Sequence, residues 1–103
     1  MAYYSVFLVT PTTNAWIPEY LAVVGPTVAK HGGKYLARTA SHERLEGSDA
    51  TPGLIALLEW PSKAAAKAFY SDPQYQPHLQ ARLAGAGSEA FLFEGKDDFA
   101  WTN

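Results

Sequence analysis

A chain of 103 residues has the length of one small domain and leaves no room for two cores. An apolar share of 48% against 17% charged residues excludes intrinsic disorder, and the absence of cysteine excludes disulfides, thiolate metal sites and a cysteine nucleophile. A formal charge of -2 gives no electrostatic footprint for nucleic acid or an anionic membrane, so neither is expected as a partner.

The opening MAYYSVFLVTP has no basic leader, and no stretch approaches the roughly 20 apolar residues of a membrane-crossing helix; a cytoplasmic location is expected. Residues 3–10, rich in aromatic and β-branched types, read as a strand closed by Pro11. Asn14 is a candidate helix N-cap, and Trp16, Tyr20, Val23, Val24 and Val28 follow at helical spacing. Gly25-Pro26 predicts a kink or a break, and Gly32-Gly33 the stop. Residues 34–40 read as a second strand, and the polar stretch after it carries a Pro52-Gly53 turn. A third strand spans 54–60; Pro61 ends it and Ser62 caps a helix over 63–70. Asp72-Pro73 opens a shorter helical stretch with Tyr75, Leu79 and Leu83 on one face. Residues 84–88 read as a breaker, and 90–94 as a last strand ending at Gly95. One domain is expected over 1–95, with 96–103 as a tail.

The order β-α-β-β-α-β, with right-handed crossovers, predicts an α+β, ferredoxin-like subunit whose four-stranded antiparallel sheet has both helical crossovers on one face. A sheet roofed on one side should alternate apolar and polar residues, yet these strands are apolar on both parities: Tyr4, Val6 and Leu8 oppose Tyr3, Phe7 and Val9, and Ile55 and Leu57 oppose Leu54, Ala56 and Leu58. Leaving the second face wet would forfeit roughly 1.5–3 kcal/mol for each large side chain. The expected cover is the same face of a second copy about a two-fold axis, a homodimer. Phe99 and Trp101 in the tail suit either a clasp on that partner or a frayed end.

The segments HGGKYLAR at 31–38, LEG at 45–47, LLEWPS at 57–62 and AAKAFYSDPQY at 65–75, together with Arg82, resemble the pattern of the family catalogued as domain of unknown function 1330. The resemblance runs from Tyr4 to Gly95. It implies membership of the dimeric α+β barrel superfamily, whose relatives by fold include cofactor-independent monooxygenases, haem-degrading enzymes, muconolactone isomerase-like proteins and stress-induced barrels. It brings no chemistry of its own. SDATPG at 48–53 lacks the basic residues the family usually carries there, so any anion contact those residues make in other members is not expected here.

Six residues stand out as a candidate site. Arg38 and Glu59 are the odd charges in two apolar strands. They fit either a buried ion pair between neighbouring strands or a site in which Arg38 holds a carboxylate and Glu59 moves a proton. Arg82 joins either arrangement. His31 reads first as a helix C-cap and, as the alternative, as a candidate base at a pocket mouth. Tyr70 and Tyr75, near His78, suit the walls of a pocket for a small, partly apolar carboxylate or carbonyl compound. Glu59 and His31 are thus the catalytic candidates, and Arg38, Tyr70, Tyr75 and Arg82 the substrate-binding ones. The reaction class would be cofactor-independent proton transfer or oxygenation; the other reading is a non-catalytic ligand-binding or stress-related dimer. Trp60 and His78 invite the haem comparison, but the first strand offers Ser5 where an Asn is needed, so no cofactor is expected. The three histidines have no ligand spacing, and no metal is expected.

Overall fold

The chain forms four strands, β1 (Tyr3–Pro11), β2 (Lys34–Thr39), β3 (Leu54–Trp60) and β4 (Ala86–Glu94), of which β1 and β3 are the most continuously apolar. Three helices join them: α1 (Ile17–Lys30), α2 (Lys63–Tyr70) and α3 (Gln76–Gly85). The computed structural model describes residues 2–48 and 51–99. The sheet order is β2-β3-β1-β4 with every neighbouring pair antiparallel, the ferredoxin-like arrangement.

Local chemistry explains most boundaries. Ser62 Oγ accepts the Ala65 N–H at 3.0 Å and starts α2 where expected. Gly32, at φ 78°, takes the left-handed turn after α1, a conformation that only glycine adopts freely. Helix α1 runs as one element across Gly25-Pro26, so the expected break is absent, and it starts at Ile17 rather than at an Asn14 cap. Pro26 removes one N–H and costs about 3 kcal/mol in a helix interior, but the burial of Val24, Thr27 and Val28 on either side holds the helix together. β4 begins at Ala86 rather than 90, because it pairs with β1 along its full length, Ala86 against Pro11. Gly85 is required just before it: a Cβ there would lie 2.4 Å from the Trp16 ring, whose Nε1 donates to the Gly85 carbonyl at 3.0 Å.

All three helices pack on one face. There Phe7, Val9, Ala56, Leu58 and Trp60 of the sheet join Val24, Val28, Ala66, Phe69, Tyr75 and Leu79 in one core. Trp60 donates its indole N–H to Ser5 Oγ at 2.8 Å, which satisfies the polar atom of each inside that core. The other face is apolar in register: Leu57, Val6 and Phe91 form one row, and Tyr4 and Phe93 lie side by side in the next. Phe91 and Phe93 are 57% and 44% exposed, a share of apolar surface that the fold itself does not cover. Phe99 is also exposed; Trp101, and with it the expected clasp, lies outside the described residues.

Candidate functional site

Between α1, α3 and the sheet lies a cavity of about 90 Å³, walled by Phe7, Trp16, Tyr20, Tyr35, Leu54 and Ala56 and carrying two arginines, Arg38 and Arg82. Arg82 stands on the buried face of α3, at the spacing of Tyr75 and Leu79; Leu83, expected on that face, is 49% exposed. The Arg82 side chain reaches across to β4, where Nη1 donates to Ser88 Oγ at 2.8 Å. Its guanidinium carbon sits 5.4 Å from the Phe7 ring centre and 5.9 Å from that of Tyr20.

The residue is only 2% exposed, and among the described residues no Asp or Glu forms an ion pair with it. Nε and Nη2 are buried without a hydrogen-bond partner. Each buried donor left unmade costs about 1–3 kcal/mol, more when charged. The phenols do not supply a counter-charge. The Tyr20 hydroxyl is hydrogen-bonded to that of Tyr75 at 2.8 Å, and burial, reinforced by Tyr75, pushes its pKa far up. It therefore stays neutral. For Arg82 itself burial acts downward, but the hydroxyl dipoles of Tyr20 and Tyr75, with Tyr75 also near enough to interact as a hydrogen-bond acceptor, and of Tyr70 more than offset it and its pKa is raised. A permanent cation is thus held in an apolar pocket with no acid beside it.

Arg38 marks the mouth. It is exposed and lies over the Tyr35 ring at 4.1 Å. Burial raises the Tyr35 pKa, with Arg38 pulling the other way. The expected Arg38–Glu59 pair is absent: Arg38 sits opposite Ala56 on the helix-covered face, whereas Glu59 lies on the open face and pairs with Lys34 at 3.2 Å. A register shift between Tyr35 and Ala37 is the cause, since one irregular residue moves every later side chain to the other face.

The remaining candidates are dispersed. His31 caps α1 and its Nε2 lies 2.7 Å from Asp72 Oδ2; Lys30 Nζ donates to the same oxygen at 3.0 Å, and the Gln74 N–H to Oδ1 at 2.8 Å. Hydrogen bonds from His31, Gln74 and Lys30 together hold the Asp72 carboxyl down at about 2. That cluster ties the end of α1 to the α2–α3 turn. Tyr75 is fully buried and reaches the cavity region through Tyr20, whereas Tyr70 lines a separate cleft of about 320 Å³ between α2 and β4. His78 is half-buried and lines neither space. Trp16, Tyr20, Tyr35 and Ser88 were not among the candidates: the first two pass as an ordinary apolar helix face, and Ser88 lies hidden in the AGAGS stretch. Among the described residues no three His, Asp or Glu side chains converge to hold a metal ion, and no helix is long and apolar enough to cross a membrane.

The model of a family described as domain of unknown function, DUF1330, matches residues 2–96. No curated protein matches the chain. Among solved structures, a protein of unknown function from Rhodopseudomonas palustris is 20% identical, with a TM-score of 0.76 over 93% of this chain and 83% of that one. A dimeric ferredoxin-like protein of unknown function from Jannaschia sp. is 16% identical, with a TM-score of 0.68 over 91% of this chain and 99% of its own. SnoaB, a cofactor-independent oxygenase from Streptomyces nogalater, is 21% identical, with a TM-score of 0.58 over 96% of this chain and 95% of that one. At these identities the likeness is one of fold.

Proposed function

This chain belongs to the DUF1330 family, and we propose that it is a cytoplasmic homodimer in which each subunit binds one small, partly apolar carboxylate or carbonyl compound between its helices and its sheet. One observation carries the ligand: Arg82, buried and charged, has no acid to pair with among the described residues. An anion entering the cavity would supply the missing partner, and the aromatic walls would take its apolar part. Titration of propanoate and benzoate into the protein, followed by calorimetry, tests this. Saturable binding at one site per subunit is expected, and its loss in Arg82→Met. Binding that survives in Arg82→Met, or no binding by the unaltered protein at millimolar ligand, overturns it.

The dimer rests on the apolar open face, and the Jannaschia protein of the same fold is itself dimeric. Leu57→Asp places a charge in the middle row of that face, between Val6 and the neighbouring strand. Sedimentation should then show monomers where the unaltered chain sediments as a dimer. Within this reading residues 1–95 form the domain and the tail reaches the partner.

Cofactor-independent oxygenation, the activity SnoaB is named for, is the second reading. What favours it is the pair of guanidinium groups on one apolar cavity, which would lower the pKa of a bound enol or phenol and stabilise the carbanion-like anion that oxygen attacks. Binding is preferred over catalysis because neither Glu59 nor His31 lines the cavity, so the residues around it include no carboxylate or imidazole base. Oxygen uptake on addition of an acidic phenol would reverse that preference.

A further inference from the structure

We propose that the cavity takes its ligand as a planar carboxylate held side-on by Arg82, and that Ser88 is the positioning residue that turns the guanidinium to receive it. The inference rests on the ligand-binding reading above. The N–H groups of a guanidinium are not equivalent. One hydrogen on Nε and one on Nη2 point the same way and form a fork whose spacing matches the two oxygens of a carboxylate. The Nη1 hydrogens lie outside that fork. In this protein Nη1 is the nitrogen that is engaged, by Ser88 Oγ at 2.8 Å, and the two nitrogens left without a partner are Nε and Nη2. The missing hydrogen bonds are therefore one complete fork rather than scattered donors.

Ser88 sets the direction of the fork, whose two nitrogens are covered in the ligand-free chain, so that a carboxylate reaches them only as the neighbouring side chains give way. The serine lies on β4 opposite Val9, on the helix-covered face, and its bond to Nη1 fixes the rotation of the guanidinium plane about the Cδ–Nε axis. Without it Nη1 would compete with the fork for the same acceptor. The surroundings narrow the ligand further. Phe7 and Tyr20 lie under the guanidinium and offer no N–H, and the Tyr20 and Tyr75 hydroxyls are bonded to each other. A tetrahedral oxyanion such as a sulfonate would bring a third oxygen into these apolar walls, where it would be poorly partnered. A neutral amide would bring no charge. About 90 Å³ leaves room for a short apolar arm beyond the carboxylate, and the exposed Arg38 at the mouth draws anions in.

Calorimetry with propanoate, ethanesulfonate and propanamide, three probes of similar size, tests the geometry. Propanoate should bind about tenfold or more tightly than ethanesulfonate, and propanamide not measurably. Arg82→Lys keeps the charge and removes the fork, so propanoate should weaken by about tenfold and its advantage over ethanesulfonate should vanish. Ser88→Ala leaves Nη1 without its acceptor and should lower the thermal midpoint of the ligand-free protein, but it should also narrow the propanoate-to-ethanesulfonate ratio, whereas a merely structural serine would weaken both anions alike and leave their ratio unmoved; it also carries the test if Arg82→Lys does not fold. Equal binding of propanoate and ethanesulfonate, or a ratio unmoved in Ser88→Ala, overturns the fork and leaves the ligand reading standing. Failure of every anion to bind overturns both.

Discussion

Asp72 and Arg82 are both buried charges, at 5% and 2% exposure, and the fold surrounds them in opposite ways. Asp72 has three donors on its two carboxyl oxygens, from His31, Lys30 and the Gln74 backbone. Among the described residues Arg82 donates one well-formed hydrogen bond, to Ser88, has the Tyr75 hydroxyl nearby, and leaves Nε and Nη2 without a partner. A charge saturated by its own chain joins segments: here it ties α1 to the turn before α3. A charge left unsaturated in an apolar pocket does nothing for the isolated fold, because its desolvation is not compensated. Counting partners separates the charge that the chain saturates from the one that it does not.

The comparison can be broken first at Asp72. Asp72→Ala leaves His31 and Lys30 without their shared acceptor, and its thermal midpoint should fall further than that of Gly85→Ala or Lys34→Ala. Acid titration sharpens the point. The folded-state pKa of Asp72 is depressed from 3.8 to about 2, so its contribution is complete above 3.8 and is lost as the pH falls through about 2. In denaturant melts the gap between the unaltered protein and Asp72→Ala should be constant above that window and close within it; a gap that is independent of pH would show that the carboxylate does not act as a charge. At the cavity end, Gly85→Ala drives a methyl group into the Trp16 ring and should cost about 1–3 kcal/mol while weakening ligand binding, since Trp16 is a cavity wall. The smallest effect belongs to the third charge cluster. Lys34→Ala removes an ion pair in which the lysine side chain is 68% exposed, and should change stability by less than about 1 kcal/mol.

The fold was legible because its signals are local. Pro61 and Ser62 end β3 and start α2 where the sequence places them, and two-sided apolar strands already imply an uncovered face. The site was only half legible. Arg38 and Arg82 stood out as charges in apolar elements, but their surroundings depend on details that periodicity does not carry. With regular alternation Arg38 would share a face with Lys34 and Glu59; the irregularity beside Leu36 moves it to the cavity side, and no residue type there announces it. Ser88 escaped for a similar reason, since glycines at 85 and 87 suggest a loop and only pairing with β1 makes that stretch a strand. The proton-transfer role of Glu59 and His31 relied on proximity in space, and the chain sends each to a different corner of the molecule.

Equilibrium urea unfolding of ligand-free Arg82→Met against the unaltered protein is the most direct test of the claim that Arg82 awaits a partner from outside the chain. An unpartnered buried cation replaced by an apolar side chain of similar length should leave the protein equally stable or more so. A loss of about 3–5 kcal/mol, the cost of breaking a buried ion pair, would mean that the chain itself already supplies the partner and that the cavity holds no vacant anion site.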